Sequence, residues 1–241
     1  MSLNVHSIET FGTHEGPGIR LVVFLQGCYF RCLYCHNPDT WAVDIGKRIA
    51  VSEIMALLEK QKPYLKHGGL TVSGGEPLIQ RVELLPLFQA AQRQNIHTTL
   101  DTNGSILDDA AKELLKFTNL VLLDVKHINN DQHQKLTGQS NQTVLNFAEH
   151  LASTQKPFWL RYVLVPGITD QEESLHQWGQ HFRGSPGLQR VEILPFHTLG
   201  AYKYDALGVP NPLAGVQPPK PEEIQTAKEI FSQYFDRVYI R

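Results

Sequence analysis

Residues 19–38, IRLVVFLQGCYFRCLYCHNP, join an apolar run to a loop that carries every cysteine of the 241-residue chain. The run 19–26 is rich in Ile, Val, Leu and Phe, which predicts a β-strand. Gly27 and the pair Asn37-Pro38 are turn formers on either side of the cysteines, so the spacing C-x3-C-x2-C is predicted to lie in a loop. A strand followed by a loop of reactive side chains is typical of ligand sites in α/β proteins.

Apolar β-branched runs alternate with amphipathic stretches about six times along the chain, which is typical of a parallel sheet with crossover helices. The predicted strands are Ile19–Gln26, Leu70–Ser73, His97–Asp101, Leu120–Val125, Phe158–Val165, Val191–Phe196 and Arg237–Ile240. The predicted helices are Val51–Lys62, Val82–Gln94, Leu107–Phe117, Thr143–Ser153, Gln171–Phe182 and Pro221–Tyr234. We therefore predict an α/β fold, a partial (β/α)6 barrel with an open parallel sheet and outer helices, in a single domain over residues 1–241.

The composition argues against electrostatic partners. Lys and Arg total 22 against 24 Asp and Glu, so no strong field of either sign is available to attract nucleic acid or anionic lipid. The first residues, MSLNVHSIETFGTHEG, lack the basic start and apolar stretch of a targeting signal, and no apolar run approaches the roughly 20 residues that span a bilayer. We expect a cytoplasmic protein that acts as a monomer, without nucleic acid or membrane partners.

The three cysteines predict metal binding or redox chemistry. Cys28, Cys32 and Cys35 are odd in number, and a reducing compartment keeps thiols unpaired. Three converging thiolates suit a four-iron four-sulfur (4Fe-4S) cluster in which one iron keeps no protein ligand. The amino and carboxylate groups of S-adenosylmethionine can chelate that iron. An electron from the cluster would then break a carbon-sulfur bond and release a 5'-deoxyadenosyl radical.

Three other interpretations use the same residues. Spacings of four and three would place the thiols on one face of a helix, where they would only pack. Residues 32–36 match the C-x-x-C-H pattern of haem attachment, which leaves Cys28 unexplained and needs an export signal. The three cysteines and His36 would also supply four ligands to a structural zinc ion, although an adjacent Cys and His strain a tetrahedron.

Residues suited to ligand binding follow the predicted strands where these strands end. Since the carboxyl ends of parallel strands meet at one edge of a sheet, we expect these residues to line one site. They are Gly74, Gly75 and Glu76 after the second strand, Asp101 on the third, Asp124 and Lys126 on the fourth, and His197 after the sixth.

The cysteine run resembles that of the radical S-adenosylmethionine (SAM) superfamily, which is C-x3-C-x2-C with an aromatic residue, here Tyr34, before the last cysteine. Beyond this run the chain is similar to the pyruvate formate-lyase activating enzymes over nearly its whole length. The motifs that carry the similarity are THEGPGIR at 13–20, YCHNP at 34–38, SGGE at 73–76, LDTNG at 100–104, LDVK at 123–126, RYVLVPG at 161–167 and LPFH at 194–197.

The resemblance implies a radical SAM oxidoreductase whose substrate is another protein. Such an activase uses a 4Fe-4S cluster and SAM to generate a glycyl radical on pyruvate formate-lyase, by hydrogen abstraction from a backbone glycine. The resemblance also implies flavodoxin or ferredoxin as the electron donor. Two enzyme alternatives are an activase of a different glycyl radical enzyme and a radical SAM enzyme that acts on a small molecule. A zinc or haem binding module without catalysis is the alternative from another class.

The resemblance also assigns residues through their match to the family motifs. It implies that Cys28, Cys32 and Cys35 hold the cluster. The implied SAM-binding residues are Tyr34, Cys35, His36, Gly74, Gly75, Glu76, Asp124, Val125, Lys126, Arg161 and His197. Gly75 would offer backbone groups to the amine of SAM, where a side chain would block close approach, and Lys126 would lie near the SAM carboxylate. A monovalent cation, Na+ or K+, would be held by Asp101, Thr102 and Asp124.

Overall fold

The computed structural model describes all residues from Met1 to Arg241. The strands are β1 (Ser2–Gly12), β2 (Arg20–Leu25), β3 (Lys47–Ala50), β4 (Gly69–Gly74), β5 (His97–Thr102), β6 (Leu120–Asp124), β7 (Phe158–Leu164), β8 (Leu188–Pro195) and β9 (Val238–Ile240). The helices are α1 (Val51–Gln61), α2 (Arg81–Arg93), α3 (Asp109–Lys116), α4 (Asn130–Thr137), α5 (Gln142–Ser153), α6 (Glu172–Phe182), α7 (Ala201–Leu207) and α8 (Pro221–Ser232). None of the helices is long and apolar enough to cross a membrane.

The chain divides into two compact units. The first holds residues 1–29 and 40–122, and the second holds residues 30–39 and 123–241. The strand order is β3-β1-β2-β4-β5 in the first unit and β7-β8-β9 in the second, and β6 contains the boundary after residue 122. The boundary also falls within the cysteine loop, so Cys28 belongs to the first unit and Cys32 and Cys35 belong to the second.

The first unit combines an antiparallel edge with parallel strands. β1 runs antiparallel to both β2 and β3, whereas β2, β4 and β5 are parallel. Val22 of β2 lies opposite Thr71 of β4, which in turn lies opposite Thr99 of β5. Five of the six residues of β2 are buried, which explains the apolar run that follows Arg20, because a strand covered on both faces has no solvent side to keep polar.

The second unit is built on parallel strands and an aromatic core. β7 pairs with β8 in parallel, with Arg161 opposite Glu192, and β8 pairs with β9. The ring centroid of Trp178 in α6 lies 5.5 Å from that of Tyr162 in β7 and 4.9 Å from that of Phe231 in α8. Neighbouring residues of a strand point to opposite faces of the sheet, so Arg161 lies on the face away from these helices.

The predicted fold class is confirmed, because the chain forms an α/β structure with an open, mostly parallel sheet and outer helices. Every predicted strand and helix is present, with ends that shift by at most three residues. The elements that the sequence analysis missed are β1, β3, α4 and α7, which are short or lie at the antiparallel edge. The assignment of residues 1–241 to one domain stays a prediction.

Candidate cofactor site

Cys28 lies in the first unit, at the start of the loop that follows β2. Gly27 N donates to Thr40 O at 2.8 Å and Cys28 N donates to Trp41 O at 3.3 Å, so residues 27 and 28 are fixed against the segment that follows the loop. The Cys28 thiol is buried, and Asn103 Nδ2 lies 3.9 Å from its sulfur. Asn103 belongs to the LDTNG motif, where the sequence analysis assigned roles only to Asp101 and Thr102.

Cys32 and Cys35 lie in the second unit, on a loop anchored by α4. Arg31 N donates to Thr137 O at 2.8 Å, Leu33 N donates to Leu136 O at 2.9 Å, and Cys35 N closes a turn to Cys32 O at 3.0 Å. All three cysteines of the chain are free of disulfides, and residues 28–37 contain no helix. The predicted loop is therefore confirmed, and the alternative of three thiols on one helix face is wrong.

The turn formed by Gly74, Gly75 and Glu76 packs against the start of the cysteine loop in the first unit. Gly75 N donates to Leu25 O at 2.9 Å and Glu76 N donates to Gly27 O at 2.7 Å. A Cβ on Gly75 would lie 2.2 Å from Gly27 O, far inside contact distance. The contact of Gly75 with a ligand stays a prediction, and the structure adds a second reason for glycine here, since the backbone of Gly27 already fills the space of a side chain.

The side chain of Glu76 connects two loops that follow strands. Its Oε1 accepts from Leu78 N at 2.9 Å and from Thr102 Oγ1 at 2.6 Å, and its Oε2 accepts from Asn103 N at 2.8 Å. Burial nevertheless raises the pKa of Glu76 to about 7. The structure thus gives Glu76 a scaffolding role that fixes the loops after β4 and β5, in addition to the cofactor role predicted from its motif.

We expect Glu76→Gln to destabilise the protein by roughly 1–3 kcal/mol at a pH of about 5, because the amide places an N–H group against backbone donors. The carboxyl has a higher pKa in the folded protein than its ordinary 4.5. Its contribution to stability is therefore fully present below about 4.5 and is lost as the pH rises through about 7. Glutamine does not titrate, so the variant should gain stability relative to wild type over this range. Urea unfolding followed by circular dichroism measures the difference.

The matched control is Glu113→Gln, which changes an exposed carboxylate paired with Lys116. Its effect on the free energy of unfolding should stay within about 0.5 kcal/mol at every pH. A Glu76→Gln variant whose stability runs parallel to that of wild type across the pH range would contradict the argument.

Asp101 and Thr102, predicted to hold a cation, lie at the end of β5 in the first unit. Ser73 Oγ donates to Asp101 Oδ2 at 2.8 Å, and Thr102 Oγ1 accepts from Gly104 N at 3.0 Å while it donates to Glu76. Both oxygens are therefore engaged within the protein but keep lone pairs that a cation can use.

Asp124 and Lys126 form a partly buried ion pair beside Tyr34 in the second unit. Lys126 Nζ lies 2.8 Å from Asp124 Oδ2 and 5.5 Å from the centroid of the Tyr34 ring. Burial alone would lower the pKa of Lys126, but the Asp124 carboxylate, together with Tyr34 and Cys32, outweighs burial and holds that pKa well above its ordinary value. The ammonium group is therefore charged at neutral pH.

His36 and His197 stack on each other in the second unit. Their ring centroids lie 3.9 Å apart, and Nε2 of His36 donates to the backbone oxygen of His197 at 2.9 Å. Burial, reinforced by the neighbouring His197, lowers the pKa of His36 to about 4, and burial also lowers the pKa of His197. Both rings are neutral at pH 7, so the pair offers polar but uncharged atoms. The structure thus brings together two residues that are 161 positions apart.

Arg161 is paired with a buried carboxylate. Its Nε lies 3.4 Å from Glu192 Oε2, and Glu192 also accepts from Arg190 at 2.5 Å and from Arg241 at 3.1 Å. One buried carboxylate facing three guanidinium groups leaves an excess of positive charge on this face of β7 and β8. The structure thus assigns Arg161 to an ion-pair network, and its contact with a cofactor stays a prediction.

The residues of the second unit fit a polar cofactor. Asp124 Oδ1 and the hydroxyl of Tyr34 are buried without a hydrogen-bond partner, which is costly unless a bound group satisfies them. Both lie beside the Lys126 ammonium group. No three His, Cys, Asp or Glu side chains converge as they would around a single ion. A 4Fe-4S cube instead bonds each thiolate to a different iron, so three cysteines outside any disulfide suit it.

Comparison with known proteins identifies the class. Residues 22–179 match the profile of the Radical SAM superfamily, and the chain belongs to this superfamily. A solved domain of a pyruvate-formate lyase-activating enzyme from Bacteroides vulgatus aligns with a TM-score of 0.61 at 23% identity, covering 72% of this chain and 99% of that domain. Streptococcus suis SuiB bound to its precursor peptide SuiA aligns with a TM-score of 0.74 at 13% identity, covering 97% of this chain and 50% of SuiB. These two likenesses concern the fold alone.

Sequence similarity narrows the class to one family. The chain is 45% identical to the pyruvate formate-lyase-activating enzyme of Streptococcus mutans, over 97% of this chain and 94% of that enzyme. It is 42% identical to the pyruvate formate-lyase 1-activating enzyme of Escherichia coli K12, over 97% of both chains. The chain is a member of the pyruvate formate-lyase-activating enzyme family.

Proposed function

We propose that this chain activates pyruvate formate-lyase by generating a glycyl radical on it, through hydrogen abstraction from one backbone glycine. The observation that carries the proposal is the identity of 42–45% with pyruvate formate-lyase-activating enzymes over 97% of the chain. The three cysteines on one loop, none of them in a disulfide, offer the thiolate ligands that the cluster of such an enzyme needs.

Cys28, Cys32 and Cys35 are the proposed ligands of a 4Fe-4S cluster. When bound, the cluster and SAM together supply an electron transfer that breaks a carbon-sulfur bond and yields a 5'-deoxyadenosyl radical. Burial raises the pKa of Cys32 to about 12, although the nearby Lys126 opposes this rise. The side chain is therefore a neutral thiol at pH 7 until iron displaces its proton, so assembly releases protons.

The proposed SAM-binding residues are the same as those that the family motifs imply. Lys126 is charged and partly buried, so it suits the SAM carboxylate, and the neutral pair of His36 and His197 suits an uncharged part of the molecule. Val125 is a proposed member that is held in place, since its carbonyl oxygen accepts from Trp178 Nε1 at 3.2 Å. The remaining members are Tyr34, Cys35, Gly74, Gly75, Glu76, Asp124 and Arg161.

A monovalent cation, Na+ or K+, is proposed to bind Asp101, Thr102 and Asp124. Carboxylate and hydroxyl oxygens suit hard cations. The buried Asp124 Oδ1, which has no hydrogen-bond partner, supports a ligand at that atom. A cation there would neutralise part of the carboxylate charge that the Lys126 ammonium does not reach.

The proposed partners are a flavodoxin or ferredoxin as electron donor and pyruvate formate-lyase as protein substrate. We further propose that the enzyme acts as a monomer in the cytoplasm, where reduced thiols persist.

The test is a partner-dependent radical assay. Anaerobically reconstituted protein with reductant, SAM and pyruvate formate-lyase should give a glycyl radical doublet by electron paramagnetic resonance, together with 5'-deoxyadenosine. The control replaces the target glycine of the partner with alanine, which should remove the doublet. No doublet with this partner, but one with a different glycyl radical enzyme, would move the assignment to that enzyme. 5'-Deoxyadenosine that forms with a metabolite and without any partner protein would indicate a small-molecule substrate.

A further inference from the structure

Helix α7, which the sequence analysis missed, holds the last cysteine of the loop through Tyr204. The Tyr204 side chain is buried, and its hydroxyl donates to the backbone oxygen of Cys35 at 3.0 Å. Both residues lie in the second unit, 169 positions apart in sequence. A buried hydroxyl is hydrogen-bonded in most proteins, but here its acceptor is the backbone of a proposed cluster ligand.

The neighbouring Lys203 holds the segment that follows this cysteine. Its Nζ donates to Asn37 Oδ1 at 2.7 Å and lies 3.0 Å from Asp39 Oδ2. The backbone of Gly200, just before α7, packs on His36 so closely that a Cβ there would lie 2.7 Å from the His36 oxygen. Residues 200–204 therefore contact residues 35, 36, 37 and 39 along one continuous strip.

The contacts made by residues 200–204 are important because residues 35–39 have little regular secondary structure of their own. Residues 32–37 belong to no helix or strand, and Pro38–Thr40 form a single 3-10 turn. On the amino side of Cys35 the loop is held by backbone bonds from Arg31 and Leu33 to α4. On the carboxyl side, Tyr204 and Lys203 hold it through side chains.

We propose that Tyr204 is a positioning residue for the iron-sulfur cluster, with Lys203 as its support, and that it fixes the backbone of Cys35 so that the thiolate faces its iron. The inference rests on the proposed role of Cys35 as a cluster ligand. Groups that hydrogen-bond a metal ligand set its orientation, and their removal commonly weakens metal retention by about 10- to 100-fold.

The experiment compares Tyr204→Phe with Tyr202→Phe in the full chain after anaerobic reconstitution. Tyr202 lies on the same helix and is 67% exposed, so its variant removes a hydroxyl from α7 without touching the loop. Phenylalanine keeps the ring of Tyr204 in its buried place, and a thermal melt checks that the fold is retained. The readouts are the rate of iron release to a chelator and the electron paramagnetic resonance spectrum of the reduced cluster.

Tyr204→Phe should release iron about 10-fold faster than wild type and show a changed spectrum, whereas Tyr202→Phe should match wild type in both. Lys203→Met should show a smaller change in the same direction. Equal release rates and spectra for wild type and Tyr204→Phe would overturn the inference, and so would equal acceleration in both tyrosine variants. A wild-type protein that assembles no 4Fe-4S cluster at all would reject the proposed function instead.

Discussion

Replacing Cys32 with alanine is expected to abolish radical formation. The three cysteines are the only ones in the chain, so no other thiol can replace a lost ligand. Two thiolates hold a 4Fe-4S cluster poorly, and an incomplete cluster cannot deliver an electron to SAM. The variant should lose the broad brown absorption of the reconstituted protein and reduce the glycyl radical doublet to background. Visible absorption and the partner-dependent radical assay measure these two effects, and iron analysis measures the loss of the cluster directly.

A control separates cluster loss from unfolding. Burial raises the pKa of the Cys32 thiol, so the side chain packs as a neutral group in the protein without metal. Alanine at this position should therefore leave the circular dichroism spectrum unchanged before reconstitution. If Cys32→Ala kept four irons and full radical yield, the proposed ligand set would be wrong. Zinc in the wild-type protein at one ion per chain, without colour, would favour the zinc alternative.

Lys126→Met is expected to weaken SAM binding by about 10- to 100-fold. The substitution keeps an unbranched side chain, one atom shorter, but removes the charge that lies beside Tyr34 and Asp124. A hydrogen bond to a charged group contributes about 1.5–3 kcal/mol, which corresponds to this loss of affinity. The free energy of unfolding should also fall, because Asp124 keeps a partly buried carboxylate without its cation. Equilibrium dialysis of the reconstituted protein against labelled SAM measures the affinity.

Lys116→Met is the matched control for Lys126→Met. Lys116 pairs with Glu113 at 2.6 Å, but its side chain is 69% exposed, against 11% for Lys126. Exposed pairs contribute about 0–1 kcal/mol, so this variant should bind SAM as wild type does. Equal affinity in Lys126→Met and wild type would show that the ammonium group does not contact the cofactor.

Apolar runs and their alternation with amphipathic stretches made most of the fold predictable from sequence. β2 and β7 are nearly uninterrupted apolar runs because they are buried on both faces, and this burial is directly visible in composition. The cysteine loop was predictable for a different reason, since Gly27 and Asn37-Pro38 give local turn signals that depend on no distant contact. Residues within the family motifs could also be predicted, because each motif is a run of consecutive residues that is recognisable without the fold.

What the sequence did not reveal depends on contacts between distant segments. α4, with the sequence NDQHQKLT, buries only His133, Leu136 and Thr137, so it lacks the apolar periodicity that marks a helix. Tyr204 is one of eight tyrosines, and only the fold brings its hydroxyl to Cys35. The packing of Gly75 was hidden in a similar way, because the Gly27 carbonyl that excludes a side chain comes from a segment 48 residues earlier.

The hydrogen bond from the Trp178 indole to Val125 ties an outer helix to the LDVK motif. Trp178 also packs against Phe231 of α8, so the aromatic core of the second unit and the residues next to Lys126 are both held by Trp178. Heat that loosens the packing of α6 against α8 would therefore displace Asp124 and Lys126 at the same time. In this protein, the affinity for the cofactor and the thermal stability of the aromatic core should therefore decline together.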